Sequence, residues 1–321
     1  MVAMSRNSAT RLAAAAIASR CFDSSPCAAW CGDPYPPYAY TLPWFEFDAG
    51  SKASPISMRI VGDNRPETAR KLSPLLVLPS PTLSYEYLET LEALTISERR
   101  VAFAALTAPG VTAAPDADFY GLLAVQAATA ISRLEAPRVH VLGHGLGAAV
   151  ALALYRAQPQ RVASLVLASP LASLDDAAAA SREDLASSLR PLLGLSSPAI
   201  KGRACVSAEL GRLQASRGSR LQEALAGTLP SLSAASGDGL LAQVACPLLV
   251  TRGATDVSSD ATAQRILKRV DGARLATFAD AGPLPHVEAK ARYNEEVLGF
   301  LDEADGVRTR RAAINDAQFP S

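Results

Sequence analysis

The stretch RVHVLGHGLGAAVALALYRAQPQRVASLVLASP, residues 138–170, decides how the rest of the chain is read. RVHVLG and ASLVLA are short continuous apolar runs, as strands buried on both faces of a parallel sheet require. Between them, Gly143-His144-Gly145-Leu146-Gly147 makes a tight turn whose glycines permit positive φ and close helix–strand packing. The small-residue segment that follows reads as a helix. Strand, turn, helix and strand in this order form a βαβ unit with parallel pairing.

Working outward, the same alternation covers most of the chain. Apolar strand patterns occur at 55–61, 74–79, 100–105, 138–143, 163–168, 246–252 and 273–278. Helical patterns fall at 84–98, 117–135, 146–158, 258–270 and 287–303. The order predicts an α/β fold, an open and mostly parallel sheet of about eight strands flanked by helices. Residues 171–240 break the alternation and read as two or three alanine-, leucine- and serine-rich helices, a helical cap inserted over the sheet. The domain is placed at 33–303, with a polar tail at 304–321.

The totals exclude several classes. Lys plus Arg and Asp plus Glu are 31 each, so no net field draws the chain to nucleic acid or anionic lipid. No run approaches the ~18 consecutive apolar residues of a transmembrane helix. The five cysteines are odd in number and scattered, which suits free thiols rather than a disulfide framework. Cys27 and Cys31 have no histidine nearby, and no metal is expected. Only three histidines, His140, His144 and His286, are available for general-base chemistry.

Residues 1–32 carry Arg6, Arg11 and Arg20 and no acidic residue before Asp23, with many alanines and serines. That composition reads as an organellar targeting segment, for chloroplast or mitochondrion, or as a disordered extension. Residues 30–47 hold seven of the chain's 18 aromatics among prolines that keep most of the segment extended. Trp30, Tyr35, Tyr38, Tyr40 and Trp44 either pack over their own domain or form a docking arm for a protein partner.

Four segments, in order, resemble the α/β-hydrolase superfamily, most closely its proline iminopeptidase-like branch. SPLLVLP with LSYEYLETLEAL (73–94) is similar to the strand and helix flanking that branch's oxyanion loop. Residues 138–170 are similar to its nucleophile elbow, CPLLVTRGATD (246–256) to the strand ending in the triad acid, and AGPLPHVEAKARYNEEVLGFL (281–301) to the histidine loop and last helix.

Carried over by position, the resemblance implies a nucleophile at Gly145, the third place of G-x-S-x-G, where this chain has no side chain. The acid falls on Asp256 and is present. The base, counted back from Glu288, falls on Pro283; His286 is a spare imidazole three places later. The oxyanion loop maps to Pro79-Ser80-Pro81-Thr82-Leu83, whose two prolines lack N–H. The expectation is a catalytically degenerate relative that binds a small apolar ligand in the relic pocket or serves as an interaction module. The alternative is an active hydrolase, aminopeptidase- or esterase-like, using Asp256 and His286 as an acid–base pair on water.

Single residues have plainer readings too. Asp256 suits the N-cap of the helix at 258–270. His140 sits within a strand as a core residue, and His144 either faces the old pocket or packs under the turn. Gly143-x-Gly145-x-x-Ala148 fits a dinucleotide fingerprint, but the next strand ends Ala168-Ser169-Pro170 without the carboxylate that would hold a ribose, so no cofactor is expected.

Overall fold

In a computed structural model of the chain, residues 45–47, 56–61, 72–78, 99–105, 119–170 and 241–307 are described. The extension at 1–32, the aromatic residues Trp30 to Trp44, the loop Pro79–Leu83, the helix expected at 84–98 and the cap at 171–240 lie outside the described residues.

The described residues form one eight-stranded sheet: β1 (Phe45–Phe47), β2 (Ile56–Val61), β3 (Leu75–Leu78), β4 (Val101–Ala105), β5 (Val139–His144), β6 (Val162–Ala168), β7 (Leu248–Gly253) and β8 (Arg274–Phe278). Their spatial order is β1-β2-β4-β3-β5-β6-β7-β8. β2 runs antiparallel to both β1 and β4, and every other pairing is parallel. Seven strands coincide with the apolar runs read from the sequence. The eighth, Phe45–Phe47, lies in the aromatic stretch that was read only as extended; three residues are too few to show alternation, and pairing with β2 makes them a strand.

Helices α1 (Phe119–Arg133), α2 (Leu146–Ala157) and α3 (Val257–Arg269) follow β4, β5 and β7. After β8 the helix expected at 287–303 is divided. A short turn of helix, α4 (Pro285–Glu288), precedes α5 (Lys290–Ala304). Pro285 starts a separate turn because its missing N–H is no loss at a helix start, and Ala289, at φ −125 and ψ 41, leaves helical conformation before α5 begins. The fold also runs past 303: α5 extends to Ala304, and Asp305 is tied into the sheet.

Alternate strand residues divide between two cores, the period of two that a strand imposes. Leu76, Leu78, Val139, Val141, Leu165, Leu167 and Val250 face one way and pack with α1, α2 and α3, through Leu123, Ile131, Val150, Leu154 and Ile266. Leu75, Val77, Phe103, Leu142, Val166 and Leu249 face the other way and pack with Tyr293, Val297, Phe300 and Leu301 of α5. All residues of β3, β5 and β6 are buried, which explains why their sequences are mostly apolar, with His140, His144 and Ser164 the polar exceptions. β5 runs into α2 at close quarters: a Cβ on Gly143 would stand 2.3 Å from the backbone oxygen of Gly147, so only glycine fits there.

Candidate functional site

The C-terminal ends of β5 and β7 and the loop after β8 meet at one edge of the sheet, where ligands of open α/β sheets are held. β5 ends at His144, and Gly145 turns the chain into α2 with φ 55 and ψ −115. Residues with a Cβ reach this region only under strain, of the kind stored at functional turns. Gly145 N–H donates to Ala168 O at 2.9 Å, pinning the turn to the end of β6. The backbone thus has the sharp strand-to-helix bend of a nucleophile elbow, with a hydrogen at its crest in place of a side chain.

The loop that follows β8 is fixed from three sides. Thr255 donates its N–H (3.1 Å) and its hydroxyl (2.9 Å) to Ala281 O, joining the loop to the end of β7. Glu288 Oε2 accepts from Gly282 N–H at 2.7 Å and from Leu284 N–H at 3.3 Å, so the carboxylate folds the loop around Pro283. His144 Nε2 lies 2.9 Å from Pro283 O. A proline carbonyl only accepts, so this imidazole nitrogen carries the hydrogen.

His144 and His286 are both buried, their rings edge to face at 5.0 Å and 71°. Tyr293 closes the group, 5.9 Å from His286. Burial, and then the neighbouring His144, push the His286 imidazole well below the ordinary histidine range. It therefore stands neutral at pH 7.

Asp256 is buried and caps α3. Its Oδ1 accepts from Ser259 N–H at 3.3 Å and its Oδ2 from Ser259 Oγ–H at 2.6 Å. Arg252 donates to the backbone oxygen of Asp256 at 2.9 Å and pairs with Asp260 at 2.8 Å, bracing the same turn. Asp256 is the helix cap that its residue type and position suggest, a role compatible with its other reading as the acid.

The structure therefore brings Gly145, Pro283 and His286 together, and joins Asp256 to the same loop through its neighbour Thr255. The equivalent of the oxyanion loop, Pro79–Leu83, lies outside the described residues. Three roles were not read from the sequence: His144 as a tie to the loop, Glu288 as the group that folds it, and Ser259 as the partner of Asp256. The spacing of Ser259 three places after a capping aspartate was the one available clue.

Among the described residues no group of three or more histidine, cysteine or carboxylate side chains is placed to hold a metal ion. Cys246 is half-buried and free, with burial pushing its thiol up to about 11. No described helix is long and apolar enough to cross a membrane.

Residues 75–296 match the family model described as "Alpha/beta hydrolase family". Among solved structures, a hydrolase from Pseudomonas aeruginosa PA01 shares 26% identity with a TM-score of 0.62, over 80% of this chain and 98% of its own. The meta-cleavage product hydrolase CumD of Pseudomonas fluorescens IP01 gives 22% and 0.58, over 78% and 95%. The proline iminopeptidase of Mycobacterium smegmatis gives 21% and 0.56, over 82% and 98%. No curated protein sequence matches the chain. With the family model matching well over half of its length and the sheet in the order described, this chain belongs to the alpha/beta hydrolase family.

Proposed function

We propose that this protein is a non-hydrolytic member of its family that uses the inherited scaffold to hold a small apolar ligand at the elbow edge of the sheet, or to bind a partner protein through its aromatic N-terminal arm. One observation carries the reading: the crest residue Gly145 keeps the bend of a nucleophile elbow at φ 55 and has no side chain to present. Two features support it. Position 283, where the resemblance puts the base, is a proline, whose ring accepts no proton. Pro79-Ser80-Pro81-Thr82-Leu83 lacks glycine and has two residues without N–H, a poor source of oxyanion donors. Removing the nucleophile or base from a triad lowers turnover by about 10⁶-fold, and on this reading the two positions are lost together.

The rival reading is acid–base work by Asp256 and His286; there Asp256 would keep its bonds from Ser259 while serving the imidazole, and substrate would have to reach a fully buried His286. Protein binding through Trp30, Tyr35, Tyr38, Tyr40 and Trp44, and organellar targeting by residues 1–32, belong to the same proposal; fusion of 1–32 to a fluorescent protein tests the second.

The deciding experiment exposes the protein and its Gly145→Ser variant to a fluorophosphonate probe and to amino-acid arylamides. Neither form is expected to label or turn over, because position 283 and the 79–83 loop are changed as well. Labelling of the unaltered protein overturns the proposal. Thermal unfolding across a panel of small apolar molecules tests binding, since a ligand at 100 times its Kd stabilises the folded state by ~2.7 kcal/mol.

A further inference from the structure

At the opposite edge of the sheet, five elements meet on a buried charge. Arg99, two residues before β4, is fully buried. Its Nη1 donates to Ser73 O at 2.5 Å and to Asp305 Oδ2 at 2.6 Å, and its Nη2 donates to Asp302 Oδ1 at 2.8 Å. Ser73 N–H reaches the same Asp305 Oδ2 at 3.2 Å. Asp305 Oδ1 stands 3.1 Å from His140 Nε2, and His140 Nδ1 lies 2.8 Å from Ser164 Oγ. With a carboxylate facing Nε2, the hydrogen sits on that nitrogen, and Nδ1 accepts from the Ser164 hydroxyl.

Serine, histidine and aspartate in one chain of contacts have the composition of a hydrolytic triad. Their placement does not fit that chemistry. Ser164 is fully buried within β6, and Asp305 is shared with a guanidinium. A buried nucleophile meets no substrate. What the cluster does instead is end a helix: Asp302 lies in α5 and Asp305 follows it directly, and both are bound by a residue at the root of β4.

The other end of α5 borders the candidate site. Tyr293, in its first turn, meets His286; Glu288, two residues before it, folds the Gly282–Leu284 loop; and that loop carries the Pro283 oxygen held by His144. At 1.5 Å per residue, the 15 residues of α5 bridge the two sheet edges over roughly 22 Å. We propose that the Arg99–Asp302–Asp305–His140 cluster is a latch that seats the C-terminal end of α5 on the sheet and, through the helix, fixes the Ala281–Glu288 loop at the elbow. The sheet supplies the fixed points, since Arg99, His140 and Ser164 all sit on strands or at a strand root. The helix transmits the restraint because Val297, Phe300 and Leu301 lie against the close-packed face between the two ends.

The charges favour a closed latch. Burial acts to raise the Asp305 carboxyl, but His140, Ser73 and Arg99 outweigh it and hold the group well below the usual carboxylate range. Burial keeps His140 below its ordinary value, with Arg99 and Arg138 adding to that effect and Asp305 opposing it. Asp305 is thus held ionised beside Arg99, and the contacts of His140 to Asp305 and Ser164 fit a neutral ring with its hydrogen on Nε2. The inference does not depend on whether the site binds or hydrolyses, so its failure leaves the proposed function standing.

Hydrogen exchange read by mass spectrometry tests it on the full chain with Arg99→Met and with the milder Asp302→Asn, which leaves Arg99 and Asp305 paired. The expected result is exchange faster by about tenfold or more in both 290–307 and 281–289 in Arg99→Met, with a smaller rise in the same segments in Asp302→Asn, and β5 and β6 unchanged. If Arg99→Met does not fold, Asp302→Asn decides. Unchanged exchange in 281–289, with or without loosening at 300–307, overturns the proposal. So does equal acceleration everywhere, which marks a loss of global stability rather than the opening of a latch.

Discussion

His144 Nε2 donates to the carbonyl oxygen of Pro283 across 2.9 Å, linking the last residue of β5 to the loop that follows β8. Two positions 139 apart in sequence are thereby held in register by a single buried contact.

If that bond holds the loop, His144→Phe keeps the ring volume and removes the donor. A cost of about 1–3 kcal/mol is expected, the usual range when a buried polar group loses its partner. Urea unfolding of the variant measures it. A shift below a few tenths would mean that Thr255 and Glu288 suffice to seat the loop.

Gly145 occupies a backbone region that other residues enter only under strain. Gly145→Ala is expected to destabilise by about 1–3 kcal/mol, although the side chain gained is a single methyl. The matched control is Gly299→Ala: nothing lies within 4 Å of the Cβ built there, and a helix-interior alanine is favoured over glycine. Equal effects at the two sites would show that position 145 carries no backbone strain.

Asp256 acts as a cap. Asp256→Ala should cost about 0.5–2 kcal/mol, whereas Asp256→Asn, which still accepts from Ser259 N–H, should lose less. Ser259→Ala should recover part of the Asp256→Ala effect in a double-mutant cycle, since the two side chains are in contact at 2.6 Å. Independent, additive losses would contradict this pairing.

His140 and His286 are both held below the ordinary histidine range by burial. In the unfolded chain each takes up a proton near pH 6.5, and in the folded chain each resists it. Folding stability is therefore complete above that pH and falls as the solution is acidified below it, by up to ~1.4 kcal/mol per pH unit for each histidine. Asp305 acts in the same direction at lower pH: its contribution is present above the unfolded carboxylate value and is lost as pH falls through the folded one. Urea midpoints between pH 7.5 and pH 5 read this slope. His286→Leu should lessen it, and an unchanged slope would show that His286 does not contribute.

Much of the fold was legible because its signals are local. Continuous apolar runs at 138–143 and 163–168 mark strands buried on both faces, and the glycines at 143–147 mark a turn that must let helix and strand approach. Asp256 as a cap was also legible, from residue type and position alone. Phe45–Phe47 was not, because so short a strand is defined by its neighbour rather than by its own pattern. The break at Ala289 escaped as well, since the Glu288 carboxylate turns back to bond the Gly282–Leu284 loop, a contact that periodicity does not register.

By itself, then, the sequence determined the layers, the strand-by-strand alternation and the absence of a side chain at the elbow crest. These depend on residue type and on spacing over a few positions. Tertiary structure decided which polar groups meet: His144 with Pro283, Arg99 with Asp302 and Asp305, and His140 with Ser164. Such pairings join residues far apart in the chain, and in a strand an inward polar residue such as His140 follows the same alternation as the leucines beside it. Its partner is set by how the sheet and the last helix pack, a choice made only when the whole core closes.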